Sequence, residues 1–319
     1  MAAVERPSVL VLLGPTAAGK SEAAVAVAKA LRAEVISADS VQVYRGLDVG
    51  TAKPTLSQRQ GVAHHLIDVA EPGQAMSVAH FADLAAASIA DVVGRGRRPL
   101  VTGGTGLYLR AALGEWQVVR VPPDPELRGH WQRRIQVEGS APLWQEVARR
   151  YPERAREIGR QDVIRLLRVL EVQGRQGTVR PSPYRLLKIG WWRTREQIAE
   201  RLAARAPDLW NGGMVEEAAG LMARGLPRDR PPLASLGYRE AAAVLAGEVR
   251  REVAMETFLT RSRRLAKRQM TWWRTETDIL WIHAEAPGLD HLLSVAKAFF
   301  AGVDVRSLVG EAAYQAPPY

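Results

Sequence analysis

The run Ser8-Val9-Leu10-Val11-Leu12-Leu13 leads directly into Gly14-Pro15-Thr16-Ala17-Ala18-Gly19-Lys20-Ser21. An apolar stretch of strand length, then glycine, then Ala and Val at helical spacing from Lys20 to Leu31 predicts strand, loop and helix. The loop fits G-x-x-x-x-G-K-[ST] in that context, the pattern of a phosphate-binding loop. Its glycines let the backbone curl so that successive N–H groups face one concavity, and the helix N-terminus adds partial positive charge beneath it. Lys20 supplies a full charge, and the Ser21 hydroxyl is placed to hold Mg²⁺ that bridges phosphate oxygens. All eight residues, Gly14 to Ser21, are therefore expected to bind a di- or triphosphate. Which one is left open. Phosphoryl transfer from bound ATP by a small-molecule kinase is the first general reading. No N-K-x-D segment points to guanine.

Further strands are expected at Glu34–Ala38, His65–Val69 and Pro99–Thr102, with a helix at Ser77–Val93. Strands alternating with helices predict a parallel sheet covered on both faces. After Gly114 the character changes. Val121–Pro125 is proline-rich, and Glu126–Gly174 is Arg-rich and helical. A strand signal returns at Tyr184–Trp192, then helices at Thr194–Ala206, Gly213–Arg224, Tyr238–Ala246 and Glu248–Arg274, a strand at Asp278–His283 and a closing helix. The expected fold class is α/β: a P-loop NTPase-like parallel sheet core flanked by helices (1–113 and 181–319), with an all-helical insertion domain (114–180).

The 319 residues carry 44 Lys+Arg against 34 Asp+Glu, a formal net charge of +10. Residues 110–205 hold 20 basic and 11 acidic residues, so almost all of the excess lies in the middle third. Such a segment suits either a polyanionic partner or a solvated Arg-rich helical surface. With no Cys, disulfides, thiolate metal sites and cysteine nucleophiles are excluded together. No run reaches the roughly 18–20 apolar residues of a membrane span, and MAAVERPS lacks a signal-peptide core, so a cytoplasmic protein with no membrane partner is expected.

Several residues could carry chemistry beside the loop. Asp39, at the end of the second strand, either caps the following turn or works across the shared crevice, holding Mg²⁺ through water or acting as a general base, and its nearness to the phosphate loop favours a functional role. Asp68 is a weaker candidate for the same role. Thr105, in Thr102-Gly103-Gly104-Thr105-Gly106, offers a hydroxyl where glycines permit close backbone approach to a ligand. Phe258–Arg274 holds Arg261, Arg263, Arg264, Lys267, Arg268 and Arg274 with Trp272 and Trp273 and no carboxylate, as expected of a surface for phosphates and unpaired bases. Its alternative is a helix with its apolar residues packed inward and its charges solvated. His64 and His65 lack a further ligand nearby and are read as structural.

Together these segments resemble the bacterial tRNA dimethylallyltransferase (tRNA isopentenyltransferase) family over nearly the whole chain. The resemblance rests on GPTAAGKS (14–21), ISADSVQVYRGLDVGTAKP (36–54), HHLIDV (64–69), VTGGTGLY (101–108), RVLEV (168–172), SLGYRE (235–240) and RRLAKRQMTWWR (263–274). It implies transfer of a dimethylallyl group from dimethylallyl diphosphate to the exocyclic amine of the adenosine 3′ of the anticodon, in tRNAs reading U-initial codons. The loop then holds a pyrophosphate leaving group, with Arg201 and Arg205 as further diphosphate contacts. By the same resemblance Asp39 accepts the amine proton, and Thr105 lies by the acceptor. Ser40, Val41 and Gln42 hold the extruded adenine, and Arg128, Ile164, Arg165 and Arg168 contact the anticodon stem-loop. Where relatives read Q-R-x-x-R, this chain has Ile164-Arg165-Leu166-Leu167-Arg168, so it lacks one polar group that the family offers to tRNA. The enzyme is expected to be monomeric.

Overall fold

The computed structural model describes residues 6–319, so most of the N-terminal stretch read for a leader lies outside the described residues. The chain forms two compact units, one comprising residues up to Gly114 with Pro181–Tyr319, the other Glu115–Arg180. The strands are β1 (Ser8–Leu13), β2 (Ala33–Ser37), β3 (His64–His65), β4 (Arg98–Gly103), β5 (Trp116–Gln117), β6 (Thr178–Val179), β7 (Arg185–Trp192) and β8 (Ile279–His283).

The larger unit is built on a six-stranded, fully parallel sheet of order β3-β2-β4-β1-β7-β8. The apolar run of β1 explains its place between β4 and β7. Val9, Val11 and Leu13 enter the core on one face and Leu10 and Leu12 the core on the other, none more than 1% exposed. A strand buried on both faces needs this continuous apolar pattern. The first face is covered by Phe81 and Ile89 of helix Val78–Gly94 and Met270 of helix Arg251–Trp273. The second is covered by Ala24 and Val27 of helix Lys20–Leu31 and Phe299 of helix Gly288–Phe300. The loops after β1, β2 and β4 share the crevice at the strands' C-terminal ends, where ligands bind in open α/β sheets.

Two of the elements expected in the larger unit need correction. The strand expected at His65–Val69 pairs only through His64 and His65, because Leu66 (φ 62°) and Asp68 (φ 59°) turn left-handed and end the ladder. The expected helix Thr194–Ala206 runs from Arg195 to Asn211, starting on a Thr194/Gln197 capping box and continuing through Pro207. His65 bonds Glu34 through Nε2 at 2.7 Å, and His64 bonds the Val62 carbonyl.

In the smaller unit, the Arg-rich stretch is four helices: Pro125–Glu138, Ala141–Arg150, Pro152–Glu157 and Val163–Glu171. Pro125, Pro142 and Pro152 each sit in a first turn, where a missing N–H costs nothing. Trp131, Leu143, Val147 and Leu166 form its core. A short antiparallel pair, Trp116 with Val179 and Gln117 with Thr178, joins its two ends, so the insertion is not all-helical as expected. Among the described residues no helix is long and apolar enough to cross a membrane.

The basic excess of residues 110–205 is shared between the two units. Residues 115–180 hold 13 Lys+Arg and 9 Asp+Glu, so about half of the middle-third excess belongs to the larger unit, including Arg193, Arg201 and Arg205.

Candidate active site at the phosphate loop

Residues 14–19 form a loop in which Gly14 leaves no room for a side chain. Gly14 has φ 152°, and a Cβ there would lie 2.1 Å from the Trp191 carbonyl oxygen at the end of β7. Ala17 (φ 63°) and Gly19 (φ 89°) are left-handed, so the chain curls into the helix that begins at Lys20. The first turn leaves N–H groups without intrahelical partners at the mouth of the curl. Lys20 Nζ donates to the Pro15 carbonyl at 2.7 Å, folding over the loop. Burial lowers its pKa to about 8, with Asp39 opposing the shift and Arg205 adding to it. An ammonium in this state gains from an anion.

Arg201 and Arg205 lie one turn apart on helix Arg195–Asn211 and both reach the loop. Arg201 Nε donates to the Ala17 carbonyl at 2.8 Å. The Arg205 guanidinium has its pKa lowered by burial and by Arg201, with Glu22 opposing. Arg193, which sequence reasoning passed over, donates from Nε to the Ala18 carbonyl at 3.3 Å and from Nη2 to the Ala284 carbonyl at 3.1 Å. Three guanidiniums and an ammonium thus surround one short loop.

Asp39 sits half-buried at the end of β2, close enough to Lys20 to raise its pKa. Both sequence readings of Asp39 apply at once. Oδ1 accepts from the backbone N–H of Val41 (2.8 Å) and Gln42 (3.1 Å), capping the turn, while Oδ2 makes no hydrogen bond to the protein among the described residues. The Gln42 side chain donates to the Thr51 carbonyl and accepts from Ser37, both at 3.2 Å. Ser40 and Val41 are half-buried beside it. Thr105 is half-buried at the start of helix Gly106–Ala112, and its hydroxyl makes no capping bond. Tyr108, pushed up to about 12 by burial and by nearby Tyr44 and Asp39, donates to the Met76 carbonyl. Asp68 is committed elsewhere. Its carboxylate pairs at 2.6 Å with buried Lys53, which also holds Asp48 and the Tyr44 carbonyl.

Helix Arg251–Trp273 closes this side. Gln269 Oε1 accepts from the Thr16 N–H at 2.8 Å, and a Cβ on Gly104 would lie 2.4 Å from Gln269 Nε2. A Cβ on Gly106 would lie 2.2 Å from Trp272 Nε1, so the glycines of the β4 turn admit this helix. Arg263, Arg264, Lys267, Arg268 and Arg274 are exposed and carry no ion pair among the described residues. Met270 and Trp273 are buried, so the helix has both the packed face and the charged face that the sequence left as alternatives. Trp272, 40% exposed, stacks with Arg110 and lines an open cavity of about 550 Å³ with Lys267, Arg268, Thr271 and Thr275. Arg261 is turned inward to Glu240.

In the smaller unit, the expected RNA contacts divide. Arg165 and Ile164 are 71% and 78% exposed, Arg165 with a 3.3 Å pair to Asp162. Arg128 and Arg168 instead both bind the fully buried carboxylate of Glu171, at 2.6 and 3.1 Å, and Arg168 also donates to the Val119 carbonyl. These bonds hold the Glu171 carboxyl below its ordinary pKa against the cost of its burial.

The IPP transferase family model matches residues 42–276 of this chain, and an isopentenyl transferase model matches residues 7–72. The chain belongs to the IPP transferase family. It is 39% identical over 286 residues to a tRNA dimethylallyltransferase of an Exiguobacterium species, covering 88% of this chain and 91% of that one. It is 41% identical to the tRNA dimethylallyltransferase of Methylococcus capsulatus, covering 91% and 96%. The crystal structure of the full-length tRNA isopentenylpyrophosphate transferase of Bacillus halodurans superposes with a TM-score of 0.70 at 36% identity, covering 93% and 96%. A eukaryotic dimethylallyltransferase acting on tRNA shares the fold, with a TM-score of 0.77 at 21% identity, covering 93% and 80%. As a member of the IPP transferase family this chain is a prenyltransferase, and the kinase reading of the loop is not favoured.

Proposed function

We propose that the chain transfers a dimethylallyl group from dimethylallyl diphosphate to the exocyclic amine of the adenosine 3′ of the anticodon, as a cytoplasmic monomer acting on tRNAs that read U-initial codons. The observation that carries this reading is the convergence of Lys20, Arg193, Arg201 and Arg205 on a loop whose far wall holds a carboxylate with one uncommitted oxygen. A leaving diphosphate concentrates negative charge. Cations gathered around that position stabilise the transition state more than the ground state.

Residues Gly14 to Ser21 hold the diphosphate, with Arg201 and Arg205 at its flank. The donor that the loop offers a metal is the Ser21 hydroxyl, which leaves Asp39 Oδ2 free for the proton. A single hard oxygen suits Mg²⁺, which keeps several waters and takes its other ligands from phosphate oxygens. When bound, the ion neutralises charge on the departing diphosphate.

Asp39 Oδ2 accepts the proton that the amine gives up as its nitrogen bonds the allylic carbon, and the carbon–oxygen bond to diphosphate breaks. The two amides on Oδ1 keep that carboxylate oriented. Thr105 lies at the acceptor end, with Ser40, Val41 and Gln42 lining the adenine. Getting the base there means taking it out of its loop stack, at roughly a few kcal/mol. Backbone contacts must offset that. Arg165 and Ile164 on the smaller unit and the unpaired cations of helix Arg251–Trp273 are available for them. Arg128 and Arg168 serve chiefly to neutralise Glu171.

The purified protein, given dimethylallyl diphosphate, Mg²⁺ and unmodified tRNA, yields prenylated adenosine and diphosphate. Phosphoryl transfer from ATP with no prenylated product would return the loop to the kinase reading.

A further inference from the structure

Glu217, on helix Met214–Ala223, has its carboxylate fully used by groups distant in sequence. Oε1 accepts from the backbone N–H of Asp48 (2.9 Å) and Val49 (2.8 Å), and Oε2 accepts from that of Gly50 (3.1 Å) and from the Tyr238 hydroxyl (2.6 Å). Bonds to an ionised acceptor are about twice as strong as neutral ones. Gly50 permits the arrangement, since a Cβ there would lie 2.6 Å from the Tyr238 ring. The opposite side of the loop is pinned by buried Lys53, through Asp48 and the Tyr44 carbonyl.

From this clamp a chain of hydrogen bonds runs to Asp39. The Thr51 carbonyl, next to Gly50, accepts from Gln42 Nε2, and the Gln42 N–H donates to Asp39 Oδ1. Because Oδ1 is fixed by this turn, the direction in which Oδ2 points follows from where Gln42 sits. We propose that Glu217 is a positioning residue for the reaction: it holds loop 48–51, and through Gln42 it fixes the orientation of the Asp39 carboxylate. The inference rests on Asp39 being the base that accepts the amine proton. Displacing a reacting group by about 1 Å costs on the order of 10²-fold in rate. A clamp whose carboxylate is used up inside the protein therefore acts on kcat.

The test is a cycle of Glu217→Gln and Asp39→Asn, read in single-turnover rates, donor KM and tRNA Kd on variants shown by circular dichroism to be folded. Glutamine keeps the shape of Glu217 but turns an NH₂ toward two of the four donors. Glu217→Gln lowers the rate about 10-fold or more, with donor KM and tRNA Kd within about 2-fold, and has almost no further effect in the Asp39→Asn background. Tyr238→Phe, which deletes one of the four bonds and no atom of the loop, gives the same pattern at about 3-fold. It decides the matter if Glu217→Gln does not fold. An unchanged rate in the folded variants, or an equal fold-loss from Glu217→Gln in the wild-type and Asp39→Asn backgrounds, overturns the positioning role while leaving the base assignment intact. Near-normal turnover in Asp39→Asn alone removes the base assignment itself.

Discussion

Raising the pH through 8 should weaken donor binding, and Lys20 should be the reason. Its pKa in the free protein is lowered from 10.5 to about 8, chiefly by burial. Keeping it charged in the empty loop therefore costs about 3 kcal/mol relative to water. For a lysine shifted downward, the folded protein binds fewer protons than the unfolded chain between pH 8 and 10.5. Its own contribution to stability therefore rises with pH across that window. Donor binding runs the other way. A diphosphate against Nζ favours the ammonium, so below about pH 8 affinity is flat, and above it each unit costs up to about tenfold. From about pH 7.5 to about 9.5 the loss is ~25-fold for a pKa of about 8. A phosphate ester's last ionisation, at about 6, does not interfere. Titration calorimetry of dimethylallyl diphosphate at constant ionic strength measures the profile, with Lys20→Met as control. Affinity that stays flat to the alkaline end of that range, or an equal decline in Lys20→Met, would mean that Lys20 is not the group that titrates.

Asp39→Asn keeps the Oδ1 acceptor for Val41 and Gln42, so the turn survives. Turnover should fall about 10²–10⁴-fold while tRNA still binds in a filter assay, and wild-type turnover would return Asp39 to a purely capping role. Replacing Arg263, Arg264, Lys267 and Arg268 by Ala should make the salt dependence of tRNA binding shallower by roughly one for each phosphate no longer neutralised, and an unchanged slope would place the RNA elsewhere. Arg165→Ala should act on the same slope, whereas Arg168→Ala removes one of two partners of buried Glu171, leaving Arg128, and should cost about 2 kcal/mol in urea unfolding. Glu34, held at about 2 by Arg95 and His65, contributes stability that is complete above pH 4.5 and lost as pH falls toward 2. Glu34→Gln should flatten that decline, by about 2 kcal/mol when unfolding is compared at about pH 6 and about pH 3.

What could be read from sequence was what is contiguous. The apolar run of β1 and the eight residues after it specify strand, loop and helix from Ser8 to Leu31, and the structure has each of them. Hydrophobic periodicity could not foresee that Leu66 and Asp68 adopt left-handed backbone, since neither is a glycine that advertises it. Nor could it divide the Arg-rich stretch into four helices, although the prolines at 125, 142 and 152 mark three of the starts. At the site, Asp39, Thr105, Arg201 and Arg205 were reached through motifs and resemblance. Gln269 was not, because it meets Thr16 across 253 residues. The burial of Glu171, which engages Arg128 and Arg168, likewise depends on helices packing in three dimensions. A count of charges cannot separate such paired arginines from the unpaired ones on helix Arg251–Trp273.

Which group moves, and on which atom it lands, is decided by nucleoside analysis of tRNA from cells with and without this protein. N6-(dimethylallyl)adenosine, or a derivative of it, should be present 3′ of the anticodon in tRNAs reading U-initial codons and should disappear with the protein. A nucleoside profile that does not change on its removal would rule out tRNA prenylation as its activity.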